Sequence, residues 1–181
     1  MFVSPILKVA GLLPLMVLLL ASCNSVDVID YKNNQPKLVA ESFFDGQLRA
    51  AGVLKDRSGK VIRYFTADIK AYWKEGVGTL EEDFVFDDGE KQRRVWTLTP
   101  NGDNRYIGTA GDVIGESDIQ VAGNSMFLGY VLRIPYGDGT IDITIDDRMY
   151  LVSENVLMNE SSMSKFGVNV GQLLLVIQKV D

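Results

Sequence analysis

Residues 78–99 read GTLEEDFVFDDGEKQRRVWTLT. Apolar side chains alternate with polar ones on both sides of Asp87-Asp88-Gly89, which is the pattern of two half-buried strands joined by a turn. The apolar phase of the first strand is Leu80, Phe84 and Phe86, and that of the second includes Trp96 and Leu98. A three-residue turn with Gly89 in the left-handed conformation keeps both sets on one face, whereas a two-residue Asp88-Gly89 turn would split them. The three-residue turn pairs Phe86 with Glu90, Phe84 with Gln92, Glu82 with Arg94, and Leu80 with Trp96. Glu82 and Arg94 then face each other on the apolar side.

The second readable hairpin is centred on Gly137-Asp138. A two-residue turn with glycine first pairs Ile134 with Ile141, Leu132 with Ile143, and Tyr130 with Ile145, and the same phase carries Asp147 inward. Met158 and Glu160 share a face on the following strand, but nothing in the sequence orients that face. Further period-two segments run over residues 47–55, 61–73, 104–110, 114–121, 125–136, 140–148, 156–162 and 172–179, separated by turn residues. Helix is confined to a short piece near Leu38–Phe44 or Ser162–Phe166. Up to ten successive short strands without a parallel crossover predict an all-β fold, an antiparallel up-and-down barrel of about eight to ten strands that leaves no exposed edge.

The start of the chain reads differently. Lys8 precedes a nearly unbroken apolar run from Val9 to Ala21, which ends in Leu20-Ala21-Ser22-Cys23 and holds the sole cysteine of the sequence. The run is too short for a comfortable bilayer span, contains Pro14, and has no basic cluster behind it. The tetrapeptide resembles the lipobox of bacterial lipoproteins. That resemblance implies cleavage before Cys23, acylation of its sulfur and amine, and anchorage by two or three chains. Asn24 stands where an aspartate would favour retention in the inner membrane, so for a Gram-negative host the expected address is the periplasmic face of the outer membrane. The expected organisation is a signal peptide over residues 1–22, the acylated cysteine and a flexible tether over 23–37, and the barrel over 38–181.

Loss of residues 1–22 removes Lys8 and no acid, leaving 17 basic against 24 acidic residues, a formal charge of −7. Without a dense basic stretch such a domain is a poor partner for nucleic acid. The chain has no histidine and no second cysteine, which removes the commonest zinc ligands, the commonest general base and any internal disulfide. No cofactor or metal is implied. Asp87-Asp88-Gly89, Asn101-Gly102-Asp103 and Gly137-Asp138-Gly139 lack the alternating oxygen ligands of a calcium loop and read as turns. Ser162 and Lys165 have the spacing of a Ser-x-x-Lys nucleophile without the helix or the companion motifs that chemistry needs.

Phe44-Asp45-Gly46, Asp56-Arg57-Ser58-Gly59-Lys60, Asp87-Asp88-Gly89 with Arg94-Val95-Trp96, Gly108-Thr109-Ala110, Asp112-Val113-Ile114-Gly115-Glu116, Ala122-Gly123-Asn124, Asp146-Asp147-Arg148-Met149-Tyr150 and Met163-Ser164-Lys165-Phe166-Gly167 together resemble the DUF3833 family of proteobacterial lipoproteins. Arg148 departs from the pattern, which would place a tryptophan there. The family has no assigned function. The resemblance implies a lipocalin-like barrel and adds no reaction.

A barrel interior containing Glu82, Arg94, Trp96, Tyr130 and Asp147 among aliphatic and aromatic side chains would suit a small apolar or amphipathic ligand such as a fatty acid or lipid, with Arg94 matched to its anionic end. Taken by themselves, the same residues read more readily as a satisfied structural network that fixes register or closes a barrel end. Three readings follow. A binding module requires a real cavity, and an accessory or scaffold lipoprotein requires a filled barrel. An enzyme acting on a lipid through Glu82 or Asp147 requires a cavity, a perturbed acid and room for water. The first is preferred, and the expected protein is not an enzyme.

Overall fold

Turn chemistry sets the strand registers. In a computed structural model describing residues 25–180, Gly89 has φ of 84°, a value that residues with a Cβ rarely adopt, and the Phe86 N–H donates to the Glu90 carbonyl at 2.9 Å. The three-residue turn therefore forms, pairing Phe84 with Gln92, Glu82 with Arg94 and Leu80 with Trp96. At the second hairpin Tyr136 opposes Gly139, and Ile134, Leu132 and Tyr130 oppose Ile141, Ile143 and Ile145.

The strands are β1 (Gly46–Asp56), β2 (Val61–Lys74), β3 (Val77–Phe86), β4 (Lys91–Pro100), β5 (Arg105–Thr109), β6 (Val113–Ile114), β7 (Ser117–Ala122), β8 (Ser125–Tyr136), β9 (Gly139–Ser153), β10 (Val156–Lys165) and β11 (Val168–Lys179). Every pairing is antiparallel. β11 returns to β1 and β8 meets β9, so ten strands close a barrel. The segment expected as one strand over 114–121 is broken, and β6 and β7 both lie on the edge of β8 that β9 leaves free. Residues 162–165, a candidate helix by sequence, are strand: Ser162 opposes Gln172 and Lys165 opposes Val168.

One end of the barrel is plugged. The short helix α1 (Ala40–Phe43) sits there with Leu38 and Phe44, which are 4% and 2% exposed. Trp73 Nε1 donates to the Phe44 carbonyl at 2.8 Å, Lys179 Nζ to the Ser42 carbonyl at 2.7 Å, and the Tyr106 hydroxyl to Glu41 at 2.5 Å. The first and last of these bonds satisfy partly buried polar groups that the plug would otherwise leave unpaired. Leu48, Ile119 and Leu157 form the close-packed layer above it.

The segment expected to be a flexible tether differs. Asp27 caps a 3-10 helix (Val28–Tyr31) by a reciprocal pair of bonds with Asp30, Val28 is buried, and Tyr31 packs against Phe127 and Tyr150 on the outer wall. A Cβ on Gly123, whose φ is 57°, would fall 1.8 Å from the Tyr31 carbonyl oxygen. Residues 27–38 are thus a strap laid on β7 and β8, held by capping and aromatic packing that their polar composition conceals. The signal-peptide and Cys23 acylation expectations fall on residues 1–24, outside those described.

Candidate functional site

Because side chains alternate across each strand, the phase that buries Leu80, Trp96, Leu128 and Leu157 also carries polar groups into the barrel. Above the packed layer lies a cavity of about 710 Å³. It is lined on β1, β2 and β11 by Leu54, Phe65, Leu173 and Leu175, and on β3, β4, β8, β9 and β10 by Glu82, Arg94, Tyr130, Asp147, Asn159 and Ser161. Polar groups are set into a largely apolar wall, since the strands that bring Glu82, Arg94, Tyr130 and Asp147 also bring Leu80, Trp96, Leu132 and Ile145. Phe65, Phe84 and Phe86, with ring centroids 5.8–6.4 Å apart, line the approach from the unplugged end.

All five residues proposed from sequence stand on this cavity. Trp96 meets Tyr130 edge-on, with centroids 5.3 Å apart. Asp147 accepts from Asn159 Nδ2, from Ser161 Oγ at 2.8 Å, and from the Tyr130 hydroxyl at 3.5 Å. Burial raises the Asp147 carboxyl above its ordinary value, against the Asn159 and Ser161 hydrogen bonds and Arg94, which favour the charged form. Burial, followed by the Asp147 charge, holds the Tyr130 phenol well above the usual range.

Arg94 does not behave as its register partner suggests. Its Nε reaches both Asp112 carboxylate oxygens at 3.0 Å and its Nη2 reaches one of them at 2.7 Å. Asp112 lies in the loop before β6, beside the part of β4 that no strand covers, and its carbonyl accepts from the Arg133 N–H at 2.8 Å. One residue thereby ties β4 to β8 across a break in the ladder. Burial opposes the Arg94 charge, but Asp112 and then Glu82 outweigh it, and the guanidinium is held above its ordinary value. Arg94, expected to match the anionic end of a ligand, thus has Nε and Nη2 on Asp112.

Glu82 is left facing the cavity with neither a hydrogen bond nor an ion pair among the described residues. Burial pushes its carboxyl up to about 7, with Arg94 opposing and Asp147 and Asp112 adding to the shift. At the rim Arg63 lies 3.8 Å over the Phe86 ring and binds Asp88 and Glu90, each at 2.9 Å, while Arg133 binds Asp142 at 2.8 Å. No group of three or more metal-binding side chains occurs among the described residues.

Asn159 and Ser161 were missed by sequence because the phase of β10 was unpinned, and Asp112 because its contact to Arg94 crosses a loop with no periodicity. Met158 and Glu160, which share a face as expected, point outward. Arg148 also lies on the outer wall, paired with Asp146 at 2.8 Å and 5.2 Å over the Phe127 ring.

A closed antiparallel barrel plugged at one end, with a partly polar cavity opening at the other, is a lipocalin-like barrel. The chain belongs to the DUF3833 family, described as a protein of unknown function, whose profile matches residues 17–179. No curated protein matches the sequence. Among solved structures it is similar to the S-type phycobiliprotein lyase CPES from Guillardia theta, with TM-score 0.58 and 11% identity over 80% of this chain and 94% of that one. It is also similar to EF1p2_mFAP2b bound to DFHBI, with TM-score 0.44 and 8% identity over 76% and 94% of the two chains. At such identities the likeness to the lyase describes the fold alone.

Proposed function

We propose that this protein is a carrier or receptor for a small amphipathic molecule, held by a lipid on Cys23 at the periplasmic face of the outer membrane. The observation that carries the binding reading is the cavity. At about 710 Å³ it lies within the range of ligand pockets, roughly 300–1,000 Å³, and a filled scaffold barrel would not retain it. An apolar ligand body would lie against Phe65, Leu173 and Leu175, with its polar end turned to Glu82 and Tyr130. The Leu20-Ala21-Ser22-Cys23 motif supports the anchor.

The test is native mass spectrometry of the full chain purified gently from a bacterial envelope, followed by organic extraction. A stoichiometric small molecule that is absent from a cavity-filled variant supports the carrier. A bare protein mass, with no change in Trp96 emission across a panel of lipids, refutes it. Membrane fractionation of Cys23→Ala against the native chain tests the anchor separately.

A second reading is favoured by Glu82, whose carboxyl at about 7 faces the cavity and has the ionisation a general acid or base needs near neutral pH. Turnover of a bound ester or lipid by the native chain, lost in Glu82→Gln, would establish that reading over simple carriage.

A further inference from the structure

We propose that the cavity selects a ligand whose polar end is a cationic amine, with Glu82 as its counter-ion. This rests on the binding reading above and concerns the same site. Around Glu82 the interior holds more carboxyl groups than cations. Three carboxyl groups, Glu82, Asp112 and Asp147, are gathered around one guanidinium, and that guanidinium is committed to Asp112 through three contacts of 2.7–3.0 Å. Asp147 is occupied by Asn159 and Ser161. The rim cations do not alter the balance, since Arg63 and Arg93 each carry two carboxylate partners and Arg133 one.

What remains open toward the ligand is both Glu82 oxygens, the lone pairs of the Tyr130 hydroxyl, and the one Arg94 nitrogen, Nη1, that Asp112 does not take. A carboxylate placed there would face two carboxyl groups beside a single guanidinium already shared with Asp112, and would require Glu82 to hold its proton. An ammonium group would instead supply the missing partner of a buried carboxylate, the arrangement in which a buried charge is stabilised. The groups facing Glu82 are Arg94 from β4, Tyr130 from β8, Asp147 from β9 and Asp112 from the loop before β6; its neighbour on β2 is the apolar Ile69. Arg94 is the one cation among them, and its charge is answered by Asp112.

The two ligand signs also move protons in opposite directions. An amine lowers the proton affinity of Glu82, so its binding releases a proton and weakens as pH falls below about 7. A carboxylate would raise it, take up a proton and bind better in acid.

The test compares phenylbutylamine, phenylbutanoate and phenylbutanol, which share one apolar body and differ in the sign of the end group. Each is titrated calorimetrically into the full chain in a non-ionic detergent, against protein-free micelles, with Trp96 emission followed in parallel. At pH 8 the amine is expected to bind about tenfold or more tightly than the carboxylate, the ratio that a one-unit change in Glu82 acidity brings. Glu82→Gln should cost the amine about tenfold more than it costs the alcohol, since the amide keeps the shape and loses the charge. If the carboxylate binds as tightly as the amine, or Glu82→Gln leaves their ratio intact, the inference is overturned while the binding reading stands. If none of the three enters, the binding reading itself fails and takes this inference with it.

Discussion

Glu82 should make the folded protein less stable as pH rises, over a window set by the burial of one carboxyl group. In the barrel its acid form persists to about 7 against an ordinary 4.5, because burial penalises the charge more than Arg94 offsets it. Between those values the folded protein holds a proton that the unfolded chain has released. Its stabilising contribution is therefore complete below the lower value and is lost as pH passes the upper one. The contribution is about 3 kcal/mol in all, of which about 2.5 kcal/mol falls between pH 5 and pH 8, equivalent to about 5–10 °C in Tm for a chain of this size. Asp147 is shifted in the same direction and adds to the slope. Asp56, Asp88 and Asp142 are shifted the other way by their hydrogen-bond partners, and their contribution is lost only in acid below the ordinary 3.8. Thermal and urea unfolding of the native chain and Glu82→Gln at pH 5 and pH 8 measures the effect. The amide cannot ionise, so the variant should lose most of the slope and exceed the native chain at pH 8 by about 2–3 kcal/mol. A native Tm that does not fall between pH 5 and pH 8, or an equal fall in the variant, would refute the claim that this carboxyl is buried without a partner.

The plug, the latch, the strap and the cavity each make a separate prediction. Leu157→Ala removes a side chain with no exposure from the layer above the plug and should cost about 2–5 kcal/mol in urea unfolding. Arg94→Met leaves Asp112 without its guanidinium; because the two side chains are 19% and 37% exposed, the cost should be only about 1–2 kcal/mol. The same change removes the one cation that favours ionised Glu82, so NMR titration should find Glu82 losing its proton at higher pH than in the native chain. Gly123→Ala places a methyl group against the Tyr31 carbonyl and should detach the strap, read as faster protease cleavage between Asp27 and Pro36 while the barrel remains folded. Leu132→Trp projects an indole into the cavity and should abolish ligand binding at a stability change of no more than about 1.5 kcal/mol.

How much of this was legible in the sequence depends on where a turn pinned the strand phase. Asp87-Asp88-Gly89 and Gly137-Asp138 each permit one turn that keeps the apolar residues together, and from those two choices Glu82, Arg94, Trp96, Tyr130 and Asp147 all follow onto one inner face. The turn after β9 gives no such choice. Val156 opposes Ser153 while Leu157 opposes Leu151, a register shift that turns Asn159 and Ser161 inward and Met158 and Glu160 outward. A bulge of this kind leaves no compositional mark, and the two residues that hold Asp147 were lost to it. Arg94 illustrates a second limit: its cross-strand neighbour was read correctly, yet its charge went to Asp112, 18 residues away across a loop. Strand periodicity determines which side chains enter the barrel, whereas the pairing of charges inside it is settled by non-local geometry. The chemistry of the site turns on that second step, because the engagement of Arg94 with Asp112 leaves Glu82 as the carboxyl that faces the cavity without a partner among the described residues.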